Sequence, residues 1–388
     1  MERDSERAAH HHTSFYLVLV PAGTGKSRTT NEFAKMLVIS SQKLIQEALD
    51  NNADPVEWRK LEKRLLDANL FRVSLENGTY VTSGEKQDPL GAVGFRMLYQ
   101  LLEEKEGHLF EAMGKYAPLH PRGVLKSVVK YQKEDYFKDF TGVLVVDGVQ
   151  NLMLSDDDRK NKESEFYVML SDLFNMSLEG AFIIVCCTAT CFVPMKSFLA
   201  KTFRRRVFLD LHPLDPPKIV GKPVFDNSDP LIRVIVSDCD GHGRALPTLL
   251  EVINMRPFNG EVTGDNVTDI MRRTLQSLTE KYETALSWGW DTYRVILRAI
   301  LARTVFERGD TIPGTSLTID ENLSPGLIRF DPINPRMNEV GRISAGYIWV
   351  WALHESCRIR GHLRNDPSLH SWTFLEYDQI ASSFGKYS

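Results

Sequence analysis

The sequence predicts an α/β fold: a parallel sheet flanked by helices on both faces, followed by a mainly helical C-terminal region. Three observations carry that expectation. Through the first two thirds of the chain, short β-rich apolar runs alternate with longer segments of helical period. The runs are continuous rather than alternating, as strands covered on both faces are. Finally, 43% of the 388 residues are apolar and 10% aromatic, enough for a large core, which excludes a disordered tail or a fibrous repeat.

The strands are expected at Phe15–Val20, Phe71–Leu75, Val143–Val146, Ala181–Cys187 and Val207–Leu211. Helices are expected over Ser27–Leu49, Val56–Leu70, Pro89–Glu104 and Ser164–Met176. Prolines between His212 and Pro223, and again at Pro230, read as loops after the last strand. Arg256-Pro-Phe-Asn-Gly260 then breaks the pattern and separates two domains. The expected organisation is a flexible N-terminus (1–14), an α/β domain (15–256) and a mainly helical domain (257–388). In the last, Asp265–Leu286, Asp291–Arg308 and Ile343–Ile359 read as helices around a Gly/Pro-rich, β-containing insertion at Thr311–Asp331. A winged-helix-like or lid element is left open there.

Composition says little about partners. The net charge of −4 advertises no general affinity for nucleic acid. Five cysteines form neither a disulfide framework nor zinc-spaced pairs, which suits a reducing, intracellular compartment. No run approaches the ~18 apolar residues of a membrane span, and the polar start of the chain lacks a secretory core. His10, His11 and His12 read as solvated chain rather than a metal tract.

The sharpest signal follows the first strand: Pro21-Ala22-Gly23-Thr24-Gly25-Lys26-Ser27-Arg28. Gly23 and Gly25 allow the backbone angles that turn successive N–H groups inward, and the helix N-terminus adds its partial positive charge. Lys26 suits the β- and γ-phosphates, and the Ser27 hydroxyl suits a magnesium ion bridging them. This looks like a Walker A motif, with Val20 where the full pattern has glycine and an ordinary strand-turn-helix as the alternative. The expected ligands are ATP and magnesium, held by residues 21–28. A second-strand acid is needed as well, and Asp147, at the end of Val143-Leu-Val-Val146, is assigned to it, completing a metal pair with Ser27. Another strand, Phe71–Leu75, falls between the two motif strands in sequence, which suits P-loop ATPases of the additional-strand class.

Hydrolysis needs more, because the protein must place the attacking water. Gly148 stands after Asp147, so Gln150 is the candidate for orienting water, with a plain polar surface role as its alternative. Thr188 or Thr190 is either a γ-phosphate sensor or a strand-end cap. Arg244, behind Gly241-His242-Gly243, is either a second sensor or part of a helix cap, and Arg204-Arg205-Arg206 either an arginine finger or a basic turn. Cys186 and Cys187 read as core residues. Whether ATP is turned over stays open at this point. A non-hydrolysing scaffold is one alternative; a nucleic-acid module using Arg204 to Arg206, Arg272, Arg273, Arg358 and Arg360 is another. A protein partner or self-association is also open.

The order of these pieces resembles the P-loop ATPase module of Crinkler effectors and trypanosomatid retrotransposon hot spot proteins. The pieces are the Gly-Thr-Gly-Lys-Ser strand exit, Asp88-Pro-Leu-Gly-Ala-Val-Gly-Phe-Arg96-Met-Leu98, Val145-Val-Asp147, Leu209-Asp-Leu-His-Pro-Leu214 and Gly241-His-Gly-Arg-Ala-Leu246. The resemblance covers about Phe15 to Asn254, and more weakly Tyr347-Ile-Trp-Val-Trp351 and Ser371 to Glu376. It implies an AAA- or STAND-like ATPase, Lys26, Asp147 and Arg244 in catalytic positions, and nuclear or cytoplasmic, host-directed placement. The family has Asp-Glu where this chain has Asp147-Gly148. Trp372 and Glu376 resemble the entrance to the nuclease domain that follows in that family; no nuclease core is expected in this chain, and whether it comes from a longer fusion is left open.

Overall fold

The computed structural model describes residues 14–20, 24–76, 80–102, 109–115, 119–132, 140–154, 163–176, 181–190, 205–209, 218–219, 222–226, 228–281, 290–315, 318–319, 326–334 and 340–359. They fall into two compact units, one within Met1–Leu19 and Lys26–Leu209, the other within Val20–Gly25 and Asp210–Ser388.

In the first unit, β1 (Ser14–Leu19) leads to α1 (Lys26–Asp50) and α2 (Val56–Leu66). Strand β2 (Asn69–Ser74) is followed by α3 (Ser83–Gln87), α4 (Pro89–Leu102), α5 (Leu109–Lys115) and α6 (Pro121–Gln132). Strand β3 (Thr141–Asp147) runs through a 3-10 turn, Val149–Leu152, towards α7 (Glu165–Asn175); β4 (Phe182–Ala189) and β5 (Arg205–Phe208) follow. All five strands are parallel, in the order β2-β3-β4-β1-β5. The fold is therefore α/β, as expected. The strand that separates β1 from β3 in space is β4; Phe71–Leu75, which intervenes in sequence, belongs to the edge strand β2.

Side-chain alternation explains the two covered faces. Leu17, Leu19, Leu144, Val146, Val185 and Cys187 share one cluster with Val93 and Met97 of α4, Leu125 of α6 and Leu170 and Leu173 of α7. The intervening residues, including Val18, Val143, Val145 and Cys186, are buried as well. Helix α1 packs against β2, β3 and β4 and pairs with α2, whose Arg64 guanidinium lies 4.7 Å from the Phe182 ring centroid and whose Nε donates to Thr141 Oγ1 at 3.1 Å.

The second unit opens with a short hairpin of β6 (Lys218–Ile219) and β7 (Lys222–Pro223). Then come α8 (Pro230–Asp238), α9 (Ala245–Ile253), α10 (Val267–Lys281), α11 (Trp290–Leu301), β8 (Val305–Glu307), β9 (Arg329–Pro332), β10 (Val340–Ser344) and α12 (Tyr347–Ile359). The last three strands form an antiparallel sheet in the order β8-β10-β9.

Several sequence expectations change here. Pro230 starts a helix instead of marking a loop: Asp229 accepts from the Leu231 and Ile232 amides, and proline at the first helical position costs no hydrogen bond. Helix α11 ends at Leu301, where Arg303 takes a φ of +50° and Thr304 N–H bonds Ala299 O, and the chain turns into β8 instead of remaining helical to Arg308. Ile343 lies in β10, so the final helix begins later, at Tyr347. The second unit takes in α8 and α9 as well. The reason is packing: Ile235 of α8 and Leu246 and Leu249 of α9 share one core with Ile270, Met271, Ile343 and Trp349.

Candidate functional site

The site is built on the carboxyl edge of the first unit's sheet, where open α/β sheets bind ligands. Strand β3 delivers Asp147 to that edge, buried to 4% exposure, with Ser74 of β2 as its neighbour in register. Beyond β1 the chain turns at Gly25, whose φ of +94° is left-handed backbone open to glycine, and α1 starts at Lys26. Lys26 and Ser27 thus stand in the first turn of a 25-residue helix.

Two residues 120 positions apart meet there: Ser27 Oγ donates to Asp147 Oδ2 at 2.9 Å. The other carboxylate oxygen, Oδ1, accepts from the hydroxyl of Thr188, a fully buried β4 residue. The Thr188 hydroxyl in turn accepts from Gly148 N–H at 3.0 Å. Of the two threonines singled out in the sequence, Thr188 is the one whose side chain addresses the acid. Thr190 contributes its backbone N–H, which donates to Gln150 Oε1 at 3.3 Å.

Lys26 adds a partner that the sequence reading missed. Its Nζ is 2.9 Å from Glu76 Oε1 and 3.2 Å from Oε2, and its side chain is 4% exposed against 21% for Glu76. Gln150 Nε2 donates to the same Oε1 at 2.6 Å, so Gln150 ties Glu76 to the end of β4. A signal was present: Glu76 follows the strand candidate Phe71–Leu75, whose alternate residues are apolar, as Asp147 follows the strand Val143–Val146. Gly148 makes room for it. At a φ of +80°, a Cβ on residue 148 would sit 2.4 Å from Glu76 Cγ, so the glutamate side chain fills the volume a side chain at 148 would need.

The Glu76 backbone is firmly held. Arg96 Nη1 donates to Ser74 O at 2.6 Å, Ser74 Oγ to Glu76 O at 2.9 Å, and Asn151 Nδ2 to Leu75 O at 3.0 Å. Arg96 is itself fixed by a buried ion pair with Glu85, at 2.9 Å from Nη2 to Oε1. Glu85 also closes a capping box with Thr82 at the start of α3. Asp88, opening the segment that carries the resemblance, caps α4 by accepting from Gly91 N–H at 2.8 Å.

Pro21, Ala22, Gly23, His10 to His12, Arg204, Arg360, Trp372 and Glu376 lie outside the described residues. Arg28 is exposed and its Nε donates to Glu32 one turn along α1. Thr24, grouped with the second unit, lines a small cleft there with Asp240, Gly241 and His242. Arg244 also belongs to the second unit, at the start of α9; its N–H donates to His242 Nδ1 at 3.2 Å and its carbonyl accepts from Thr248. His242 Nε2 lies 2.9 Å from Gly326 O, so the neutral ring bears its proton on Nε2. Burial, followed by the nearby Arg244 charge, takes its pKa down to about 4 against the opposing pull of the Gly326 carbonyl. Burial pushes the Cys186 thiol up and the Cys187 thiol up to about 12, which makes both poor nucleophiles. Arg273 pairs with Asp269 and lies over the Phe258 ring.

Among the described residues, no three His, Cys, Asp or Glu side chains converge to hold a metal. Ser27 and Asp147 are nevertheless hard oxygen donors set side by side, the kind of pair that suits magnesium when phosphate and water supply the other ligands. Among the described residues, no helix is long and apolar enough to cross a membrane.

No family model matches the sequence. The chain is 28% identical over 362 residues to Crinkler effector protein 108 of Phytophthora sojae, a similarity that takes in 84% of this chain and 41% of that protein. This chain thus spans less than half the length of the relative it matches.

Proposed function

We propose that the chain is a nucleoside-triphosphate-binding protein of Crinkler type, built on a P-loop sheet of the additional-strand class, with ATP and magnesium as its ligands. The observation that carries this reading is the meeting of Lys26, Ser27 and Asp147 at one sheet edge, with Ser27 bonded to Asp147 at 2.9 Å. The strand order, in which β4 separates β1 from β3, supports it further. Lys26 would neutralise the β- and γ-phosphates, and Ser27 and Asp147 would hold the metal, Asp147 through its water shell. Bound there, magnesium would supply charge neutralisation at the phosphates. Thr188 keeps Asp147 aimed by donating to it. Similarity to a protein named as an effector supports an effector role, and action inside a host cell, in nucleus or cytoplasm, is proposed with it.

The test is equilibrium binding of a fluorescent ATP analogue, with and without magnesium, to the full chain and to Lys26→Ala. Wild type should bind with magnesium dependence, and Lys26→Ala should lose at least about tenfold in affinity, the worth of one charge-assisted contact. Equal affinities, or no binding by either protein, reject the proposal.

A further inference from the structure

We infer that Glu76 is the base that activates water for hydrolysis of a bound nucleoside triphosphate, in place of the acid that Gly148 cannot supply. The inference rests on the nucleotide-binding reading above and adds turnover to it. Asp147 is committed on both oxygens, to Ser27 and to Thr188. That leaves the site in want of a second carboxylate. Glu76 provides one from the neighbouring strand end, and its side chain occupies the space beside Gly148 where a side chain of residue 148 would stand.

Three features suit it to this work. Its carboxylate touches Lys26 Nζ, the group assigned to the terminal phosphates, so it stands one contact away from where phosphate chemistry takes place. It is partly exposed, so water reaches it, whereas Asp147 is buried. It is also oriented, by Gln150 on Oε1 and by the Arg96 and Ser74 hydrogen bonds that hold the end of β2. Gln150 is then a positioning residue acting through Glu76. A polyphosphate competes with Glu76 for Lys26, and its binding releases the carboxylate to accept a proton. In the step itself, water oxygen bonds the γ-phosphorus while Glu76 takes one water proton. The bond from that phosphorus to the β–γ bridging oxygen breaks, with its electron pair left on the nucleoside diphosphate. The products are the diphosphate, inorganic phosphate and one proton passed on to solvent.

The experiment compares full-length wild type, Glu76→Gln and Glu76→Asp by single-turnover phosphate release and by equilibrium binding of a fluorescent ATP analogue, both with magnesium, with a thermal melt for each protein. Glu76→Gln should lose at least about 100-fold in release, the usual worth of a general base. Its nucleotide affinity should hold or tighten, because Lys26 no longer pairs with a competing anion. Glu76→Asp keeps the counter-charge for Lys26 and shortens the reach, so it should fold, bind as wild type does and release phosphate at least about tenfold more slowly. Release by Glu76→Asp within about threefold of wild type overturns the inference, and so does parallel loss of affinity and turnover in a folded Glu76→Gln. Wild type that binds nucleotide without releasing phosphate overturns it and leaves nucleotide binding standing. Wild type that binds none overturns both.

Discussion

Replacing Gly148 with alanine tests the geometry on which the site depends. The residue sits at a φ of +80°, where an L side chain costs about 1–2 kcal/mol. Its new Cβ would lie 2.4 Å from Glu76 Cγ and 2.9 Å from both Cδ and Oε1, so the glutamate must swing away. That breaks its bonds to Lys26 and Gln150 and leaves a buried ammonium poorly compensated, at a further cost of about 1 kcal/mol once the partial exposure of Glu76 is allowed for. Together these come to roughly 2–3 kcal/mol, or about 5–10 °C in the melting temperature of a unit of this size. Calorimetry on the full chain reads this directly, as a downward shift of the transition of the sheet-bearing unit. Gly148→Glu, which would write in the Asp-Glu pair of the ATPases the sequence resembles, should destabilise at least as much, because Glu76 already fills that space. A melting temperature for Gly148→Ala within about 1 °C of wild type would show that Glu76 does not pack on Gly148, and the reasoning would fail.

Three further outcomes are expected. Thr188→Val removes the hydroxyl that donates to Asp147 and accepts from Gly148 in a fully buried setting, so urea denaturation should show a loss of about 1–3 kcal/mol. Arg96→Met leaves Glu85 buried without its cation, at a cost of about 3–5 kcal/mol, and Arg96→Met with Glu85→Met should recover much of it; a double variant as unstable as the single one contradicts the pairing. His242 titrates near 4 when folded against 6.5 ordinarily, so between those values the unfolded chain binds more protons than the folded one. The stability it contributes is present above about pH 6.5 and falls by up to about 3 kcal/mol as pH drops towards 4, a dependence that His242→Gln should flatten in pH-dependent melts.

Much of the fold was legible locally. The five strands appear within a few residues of where apolar runs put them; for the central strands burial on both faces makes those runs continuous, while the edge strand β2 alternates. Helix α1 starts one residue before the expected Ser27 and ends one after Leu49. Elsewhere the local signal was ambiguous. Pro230 is compatible with a loop or with a first helical turn, and only the Asp229 cap and the packing of Ile232 and Ile235 decide between them. The apolar residues of Val305–Glu307 and Val340–Ser344 fit a helix flank as well as a strand, and pairing across the β8-β10-β9 sheet selects the strand.

The sequence by itself determined that a strand, a glycine turn and Lys26-Ser27 would open a helix, and that Asp147 would end a buried strand. These are properties of short segments, set by side-chain chemistry along a few residues. Tertiary structure alone decided that β4 lies between those two strands, that Thr188 rather than Thr190 bonds the acid, and that Glu76 reaches Lys26 over the bare backbone of Gly148. Strand order and the meeting of residues 50 or 120 positions apart follow from how whole faces bury one another, and no single segment contains that information.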